Sequence, residues 1–449
     1  MSHSLQERAE PAAWLEEGEP SGSEQAKAAP AWGPGKRFLL RFTFAYLVLY
    51  TLGFLLQTLP LLGKLGEIYE LLWSSFAPWA GKRLFHLDVA VLENGSGDTT
   101  YDYMKVFCFF LVALLAGLAW TILDRKRGNN ERLYDGLRVY VRFSLASAMI
   151  LYGASKVFSA QFGPPGLHRL LETFGEASPM GLLWTFMGLS RGYTLFAGLA
   201  EMAGGILLIS RRTTLLGALV SIGVLLNVVL LNFFYDVPVK LFSSHLLAMA
   251  VLLILPDLRR LADFLLFNRR VEPAEIRPLF QSRRLNRAAL VLRTVFIVGL
   301  SVYWLYECYK IDRQYGYLAP KPPFHGVWDV EEYAVNGEAR PPLLTDAARW
   351  RRVVFEETGF VGFHAMDKEK NQYYVLKLDA KAKRFVLSKY KDPKWRSVLS
   401  YQQPRPEVLT LAGTIDGQKI SARLRRMDDS RFQLTSRGFH WISERPFNR

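Results

Sequence analysis

Seven long apolar segments, separated by polar loops, occupy the chain up to residue 306. They are Phe38–Pro60, Met104–Leu123, Tyr140–Phe158, Tyr193–Ser210, Thr213–Leu231, Val239–Leu255 and Ala288–Tyr306. Each is about 17–25 residues long, which is the length that a helix rising about 1.5 Å per residue needs to cross a bilayer core of about 30 Å. The pattern predicts an all-α polytopic bundle of about seven transmembrane helices, the last within residues 288–310.

The hydrophobic period changes in residues 324–449. Short segments such as Tyr373–Leu378, Val408–Ile415 and Lys419–Arg426 read as strands, and Arg431–Thr435 is a further predicted strand. Turn pairs such as Asn336-Gly337 and Asp416-Gly417 separate several of them, as expected in hairpins. Eight to ten such strands predict a second domain, an antiparallel barrel or sandwich.

The segments between the apolar runs divide the rest of the chain. Residues 1–35 are polar and acidic and predict a disordered cytoplasmic tail. The expected units are 36–137 (two helices with an external loop), 138–257 (a four-helix unit) and 258–287 (an interfacial helix and linker). Shorter amphipathic or apolar stretches predict three further helices, at Lys64–Phe76, Gly181–Leu189 and Leu258–Phe267.

Basic residues alternate between loops. They cluster before the first apolar segment and in the second, fourth and sixth loops, as with Lys36 and Arg37, Arg125 and Arg127, Arg211 and Arg212, and Arg283 and Arg284. Because basic loops resist translocation, the pattern predicts a cytoplasmic N-terminus and an extracytoplasmic C-terminal domain. The formal net charge of +15 is then explained by cytoplasmic loops near anionic lipid and not by nucleic acid.

The two cysteines, Cys108 and Cys308, are predicted at the same outer level of the second and seventh helices. A disulfide between them is geometrically possible, and the alternative is two unrelated apolar cysteines. The sequence has no C-x-x-C motif, so neither a thioredoxin-like site nor a zinc ribbon is indicated, and no metal site is predicted.

Several polar side chains fall within or beside the apolar segments, where they are costly unless they face a cavity or a partner. They are Lys156, Arg191, Glu201, Asn227, Asn232, Asp236, Lys240 and His245. The predicted topology puts none of the charged ones clearly in the inner half, with Glu201 the deepest, near the bilayer midplane. This predicts one polar pocket open to the outside. A carboxylate as deep as Glu201 needs a partner, and Lys156 on the neighbouring helix is the expected one. Asp236 and Lys240 could instead pair across the turn at Pro238, and His245 could be a packing residue.

Two resemblances bear on these predictions. Gly153, Lys156, the run Ala200–Leu208 (AEMAGGILL), Arg211-Arg212 and Leu255–Asp257 resemble the DoxX family over residues 140–257. The resemblance implies a four-helix membrane unit and a bacterial inner membrane as its location. Some members are similar to the membrane subunit of a thiosulfate:quinone oxidoreductase. Gly326-Val327-Trp328 is similar to the lipocalin signature, which implies a lipocalin-like barrel with the tryptophan at its floor; a generic sandwich is the alternative.

The sequence leaves the function open, including whether the protein is an enzyme. The hypotheses are a module that binds or transports a lipid-like or small ligand, a scaffold for a partner protein, and a quinone-linked subunit of an oxidoreductase complex. No haem, iron–sulfur or flavin signature is evident, and quinone is the one possible cofactor. In the quinone-linked hypothesis, electrons would have to come from a redox partner in the membrane.

Overall fold

The computed structural model describes residues 32–92, 94–125, 130–273, 281–356 and 359–448. Nearly all of the predicted N-terminal tail (1–35) and residues 274–280 of the predicted linker lie outside these ranges. The helices are α1 Pro34–Thr58, α2 Gly63–Phe85, α3 Thr100–Leu123, α4 Glu131–Val157, α5 Leu167–Leu170, α6 Pro179–Leu189, α7 Arg191–Ile209, α8 Thr214–Phe234, α9 Lys240–Ile254, α10 Leu258–Leu265 and α11 Arg283–Tyr315.

Six helical stretches among the described residues are long and apolar enough to cross a membrane. They are α1, α3, α7, α8, the joined α9–α10 stretch Lys240–Leu265, and α11. The predicted third segment lies in α4, which has the length but is less apolar than these six. α4 is buried from Ser144 to Ile150 and packs against α1, α7, α9 and α11, so its side chains over that stretch face other helices. Six of the seven predicted spans therefore correspond to candidate membrane helices. The remaining one, the third segment in α4, stays a prediction.

The three shorter predicted helices are present with somewhat different bounds. α2 extends well beyond the predicted Lys64–Phe76, α6 matches the predicted Gly181–Leu189 closely, and α10 follows α9 after a single 3₁₀ turn. α2 leaves Leu65, Ile68 and Leu72 exposed.

The structure has no disulfide between Cys108 and Cys308, which agrees with the alternative of two unrelated apolar cysteines. Cys108 and Cys308 are both free, buried thiols. Cys108 packs with Ala77 and Met104 between α2 and α3, whereas Cys308 packs with Met202 beside α4 and α7. The two thiols therefore belong to different apolar clusters, and the similar depth predicted for them does not place them side by side.

The C-terminal domain is an antiparallel β barrel. Its strands are β1 Gly326–Val335, β2 Glu338–Ala339, β3 Trp350–Phe355, β4 Phe360–Ala365, β5 Gln372–Asp379, β6 Arg384–Lys389, β7 Asp392–Arg405, β8 Val408–Ile415 and β9 Gln418–Arg426. β1 pairs with β3 on one side and with β9 on the other, which closes eight strands into a ring, and the two-residue β2 adds a hairpin to β1. The closed ring distinguishes the barrel from the predicted sandwich alternative.

Local sequence explains the hairpins. Asn336 and Gly337 both have positive φ, at 53° and 88°, as do Asp416 and Gly417, at 46° and 79°. Two consecutive residues of this kind form the tight turn whose twist suits a two-residue hairpin. The predicted strand Arg431–Thr435 is wrong: this segment contains 3₁₀ and α turns. Since β9 already pairs with β1, the ring leaves no edge for a further strand.

Side chains fill the barrel interior. Trp328 is 1% exposed, and its indole N–H donates a 2.8 Å hydrogen bond to the Phe324 carbonyl. The large aromatic and aliphatic side chains around it form one cluster, which includes Trp350, Phe355, Phe363, Phe385 and Leu409. The barrel is therefore held by its own packed core.

Candidate ligand site in the helix bundle

A buried ion pair joins α4 to α7. Lys156 Nζ donates a 2.9 Å hydrogen bond to Glu201 Oε2, and the two side chains are 7% and 4% exposed. This is the partnership that the sequence predicted for the deep carboxylate. The bond uses one carboxylate oxygen, and Glu201 Oε1 makes no hydrogen bond with the described residues.

Glycines allow the two helices to come close enough for this contact. A Cβ added at Gly153 on α4 would lie 2.7 Å from the Gly198 carbonyl oxygen, and one added at Gly198 would lie 2.7 Å from the Gly153 carbonyl oxygen. A Cβ added at Gly205, two turns after Gly198, would lie 3.0 Å from the Ala146 carbonyl oxygen. Residues 198, 201 and 205 share one helix face, so the glycines that close the interface also point Glu201 at α4.

A cavity of about 510 Å³ lies beside the ion pair. Its walls come from α4, α6, α7, α8 and α9 and are mostly apolar, with Met149, Tyr152, Phe162, Trp184, Phe196 and Val228 among them. Lys156, Glu201, Asn227 and Asn232 also line it. Asn232 donates to the Ser243 hydroxyl at 3.0 Å, whereas Asn227, also on α8, is exposed. Four of the eight predicted pocket residues therefore share one cavity.

Three of the other predicted residues lie at the bundle end nearest the barrel. Arg191 is exposed and stacks over the Tyr317 ring at 5.5 Å. Lys240 Nζ bonds to Asp236 Oδ1 at 2.8 Å, and the Asp236 side chain is 85% exposed. This is the turn pair that the sequence left open as an alternative, so the two residues pair across the α8–α9 connection and do not line the cavity.

His245 belongs to an aromatic cluster and is not among the cavity-lining residues. Its Nε2 lies 2.7 Å from the Tyr46 hydroxyl, its Nδ1 lies 2.7 Å from the Leu241 carbonyl oxygen, and its ring stacks on Tyr50 at a centroid distance of 3.8 Å. Both ring nitrogens have partners on α1 and α9, which fits the packing alternative.

Sequence reasoning missed the structural roles of two charged residues. Asp98 accepts the backbone N–H groups of Lys240 and Leu241, at 2.7 and 2.9 Å, so a loop before α3 caps the first turn of α9. Arg142 is buried in α4 and donates to the carbonyl oxygens of Leu208 and Ile209, at 2.9 and 2.7 Å, at the end of α7. Arg142 lies near the start of the predicted apolar segment Tyr140–Phe158, and its position in the sequence does not reveal unpaired carbonyl groups nearby.

A second polar cluster lies where the barrel meets the loop after α4. His168 Nδ1 and His364 Nε2 are 2.8 Å apart, and Glu356 Oε2 accepts the His168 backbone N–H at 3.0 Å. Burial lowers the pKa of His168. Burial, reinforced by His168 and Arg352, lowers the pKa of His364 from 6.5 to about 4. The neighbouring cavity measures about 490 Å³. Across the described ranges, no group of three or more His, Cys, Asp or Glu side chains is arranged to hold a metal ion.

One relative fixes the family of the chain. It is 34% identical over 121 residues to the uncharacterized protein YwoB of Bacillus subtilis (strain 168), a match that spans 26% of this chain and 75% of YwoB. The chain belongs to the YwoB family. The YwoB match is too short to contain both the bundle and the barrel, and the description of YwoB gives no activity. No family model matches the chain, and no solved structure matches it.

Proposed function

We propose that this protein binds a lipid-like, bilayer-soluble ligand in the bundle cavity, with the polar head of the ligand against Lys156 and Glu201. The observation that supports the proposal is a mostly apolar cavity of about 510 Å³ that includes one buried ion pair. Typical small-molecule sites have about 300–1,000 Å³ and combine apolar walls with few polar groups. The four helices α4, α7, α8 and α9 are proposed to form a DoxX-like unit around this site.

The ion pair has capacity left for a ligand. Lys156 carries three N–H donors, of which one bonds to Glu201 and another makes a long 3.5 Å contact with the Tyr152 carbonyl oxygen. Glu201 Oε1 is an acceptor without a partner among the described residues. A head group with a carbonyl or hydroxyl oxygen could therefore bond to Lys156, Glu201 or both. A quinone is one ligand of this chemistry, and the redox-subunit alternative would use the same site.

The cavity is proposed to fill from the hydrocarbon layer. Gly223 and Asn227 on α8 and Phe196 on α7 line it and are also exposed on the flank of the bundle. With the small side chains of Ala197 and Ala200 nearby, they are proposed to frame a gap between α7 and α8. A ligand dissolved in the bilayer would reach the ion pair through this gap without crossing water.

The barrel is proposed to lie on the extracytoplasmic side of the membrane, as the basic loops predict, and the DoxX resemblance suggests that this is a bacterial inner membrane. Its shape is proposed to be lipocalin-like, with Trp328 at the floor. Because aromatic and aliphatic side chains fill its interior, its proposed role is to dock on the bundle, not to enclose a ligand of its own.

Ligand retention in two tryptophan variants tests the proposal. Ala200→Trp would fill the cavity, whereas Leu199→Trp, one residue away on the exposed face of α7, serves as a matched control for bulk and helix propensity. The proteins are purified in mild detergent, and the bound small molecules are identified by native mass spectrometry. We expect a defined ligand on the wild type and on Leu199→Trp and its loss from Ala200→Trp. The same bound molecules on both variants would reject the site.

A further inference from the structure

The barrel meets the loop after α4 through closely fitted side chains. The His168 ring lies over β4, where a Cβ added at Gly362 would overlap His168 Cε1. The Glu356 carboxylate lies in turn against Gly166, where a Cβ would overlap Glu356 Oε1. His168 and His364 then share a 2.8 Å hydrogen bond across the contact. Two glycines, one on each side, make room for these side chains, so this is a specific docked arrangement.

The same loop provides a wall of the bundle cavity. α5, which begins with Leu167 and carries His168, is followed in the loop by α6, whose Leu183, Trp184 and Met187 line the cavity. The far end of α6 is also held from the barrel side, because the Tyr317 hydroxyl, in the segment between α11 and β1, donates to the Gly188 carbonyl oxygen. The barrel attachments therefore hold the segment from α5 to α6 at both ends.

We propose that the His168–His364 pair is an acid-sensitive latch. Near neutral pH it holds the barrel on α5 and keeps α6 against the cavity, and on acidification it releases both. The latch rests on the ligand-binding role proposed above and adds a regulation to it: the wall of the cavity would open when the external medium becomes acidic.

The hydrogen bond between the two rings requires one imidazole to donate and the other to accept. A proton added to the accepting nitrogen leaves two N–H groups facing each other and places a charge in a half-buried contact. The charged and titratable groups around the pair are Arg352 and Glu356 on and after β3, Tyr373 on β5, and Arg169 and Glu172 on and after α5. Arg352 adds to the penalty for charging His364, whereas Glu356 Oε2 lies 3.8 Å from His168 Nε2 and offsets part of the penalty for charging His168.

The direction of the pH effect follows from the linkage between proton binding and docking. Docking lowers the pKa of both imidazoles, so the undocked state binds protons more readily, and docking weakens as the pH falls from 6.5 toward 4. Glu356 has the opposite sign, because burial raises its pKa and its protonation favours docking. Its effect acts between the ordinary pKa of 4.5 and the raised pKa, so Glu356 opposes the histidines over that range. We expect the two imidazoles, with the pKa of His364 lowered to about 4, to outweigh the single carboxyl. His364 alone would weaken docking about tenfold between pH 7.5 and 5.5.

Spin-label distances in the full-length protein in nanodiscs test the latch, with Cys108 and Cys308 changed to alanine. Labels at Phe174→Cys and Lys381→Cys report the loop-to-barrel distance, and labels at Leu182→Cys and Leu226→Cys report the distance from α6 to α8; all four sites are exposed. We expect one population for each pair at pH 7.5 and a second, longer population at pH 5.5. His364→Gln should remove the change with pH, whereas His440→Gln, at an exposed tail position, should keep it. His168→Gln replaces His364→Gln if the latter folds poorly.

Distances that do not change with pH in the otherwise wild-type protein would overturn the latch. A longer loop-to-barrel distance without movement of α6 would overturn its link to the cavity, and a change that persists in both histidine variants would overturn the assignment to this pair. The labels report position whether or not the cavity holds a ligand, so these failures are distinguishable from loss of the ligand site, which the Ala200→Trp comparison measures separately.

Discussion

Lys156 and Glu201, 45 residues apart in the chain, form a 2.9 Å ion pair at a point where the helices are close enough for Gly153 and Gly198 to face each other. The pair is nearly inaccessible to water, so each charge depends on the other for compensation. Helix packing and cavity chemistry are therefore properties of the same few residues.

Removing one partner of this pair should cost more than removing both. Lys156→Met or Glu201→Gln alone leaves a buried charge without its partner, and we expect each to destabilise the bundle by about 3–5 kcal/mol. The double variant leaves neither charge and should recover much of that loss. Thermal midpoints in detergent, combined in a double-mutant cycle, measure the coupling. Additive effects would contradict the interaction.

The glycine contacts give a second prediction. Gly153→Ala and Gly198→Ala place a Cβ 2.7 Å from a backbone carbonyl oxygen, which cannot move away as a flexible side chain could. We expect each to lower stability by about 1–3 kcal/mol. Gly299→Ala in α11 is the control, because a Cβ there meets nothing within 4 Å and should be neutral or slightly stabilising. Equal effects at all three positions would refute close packing as the cause.

Trp328 should be the most sensitive single position in the barrel. Its truncation to alanine removes a ring that is 1% exposed together with its hydrogen bond, and we expect a loss of about 3–5 kcal/mol. Val398→Ala, on an exposed part of β7, should cost far less. Urea unfolding of residues 320–449 expressed alone, followed by circular dichroism, compares them. A helical or unfolded spectrum for the unmutated fragment would contradict an independently folding barrel.

The proposed orientation has its own test. Reporter fusions within residues 274–280 should report the cytoplasm, and fusions after residue 448 should report the exterior, because α11 lies between them. Finding both reporters on one side would show that α11 does not cross the membrane.

The sequence predicted features whose cause is local or close to obligatory. Asn336-Gly337 forms a hairpin because its backbone preference suits one turn type, and Glu201 pairs with Lys156 because a deep carboxylate needs a cation within reach. Their surroundings were not predictable in the same way. Asp98 caps a helix 142 residues later, and His168 contacts His364 across 196 residues. Such contacts depend on how the elements pack, which neither hydrophobic period nor residue spacing specifies.

Photocrosslinking from the cavity wall tests the central claim most directly. A photoreactive phenylalanine analogue replaces Val228, which lines the cavity, or Leu230, which is exposed on another face of α8. Both variants are irradiated in native membranes, and the adducts are identified by mass spectrometry. We predict one defined amphiphile at position 228 and a mixture that mirrors the bulk phospholipids at position 230. The bulk mixture at both positions would contradict a ligand site in the bundle.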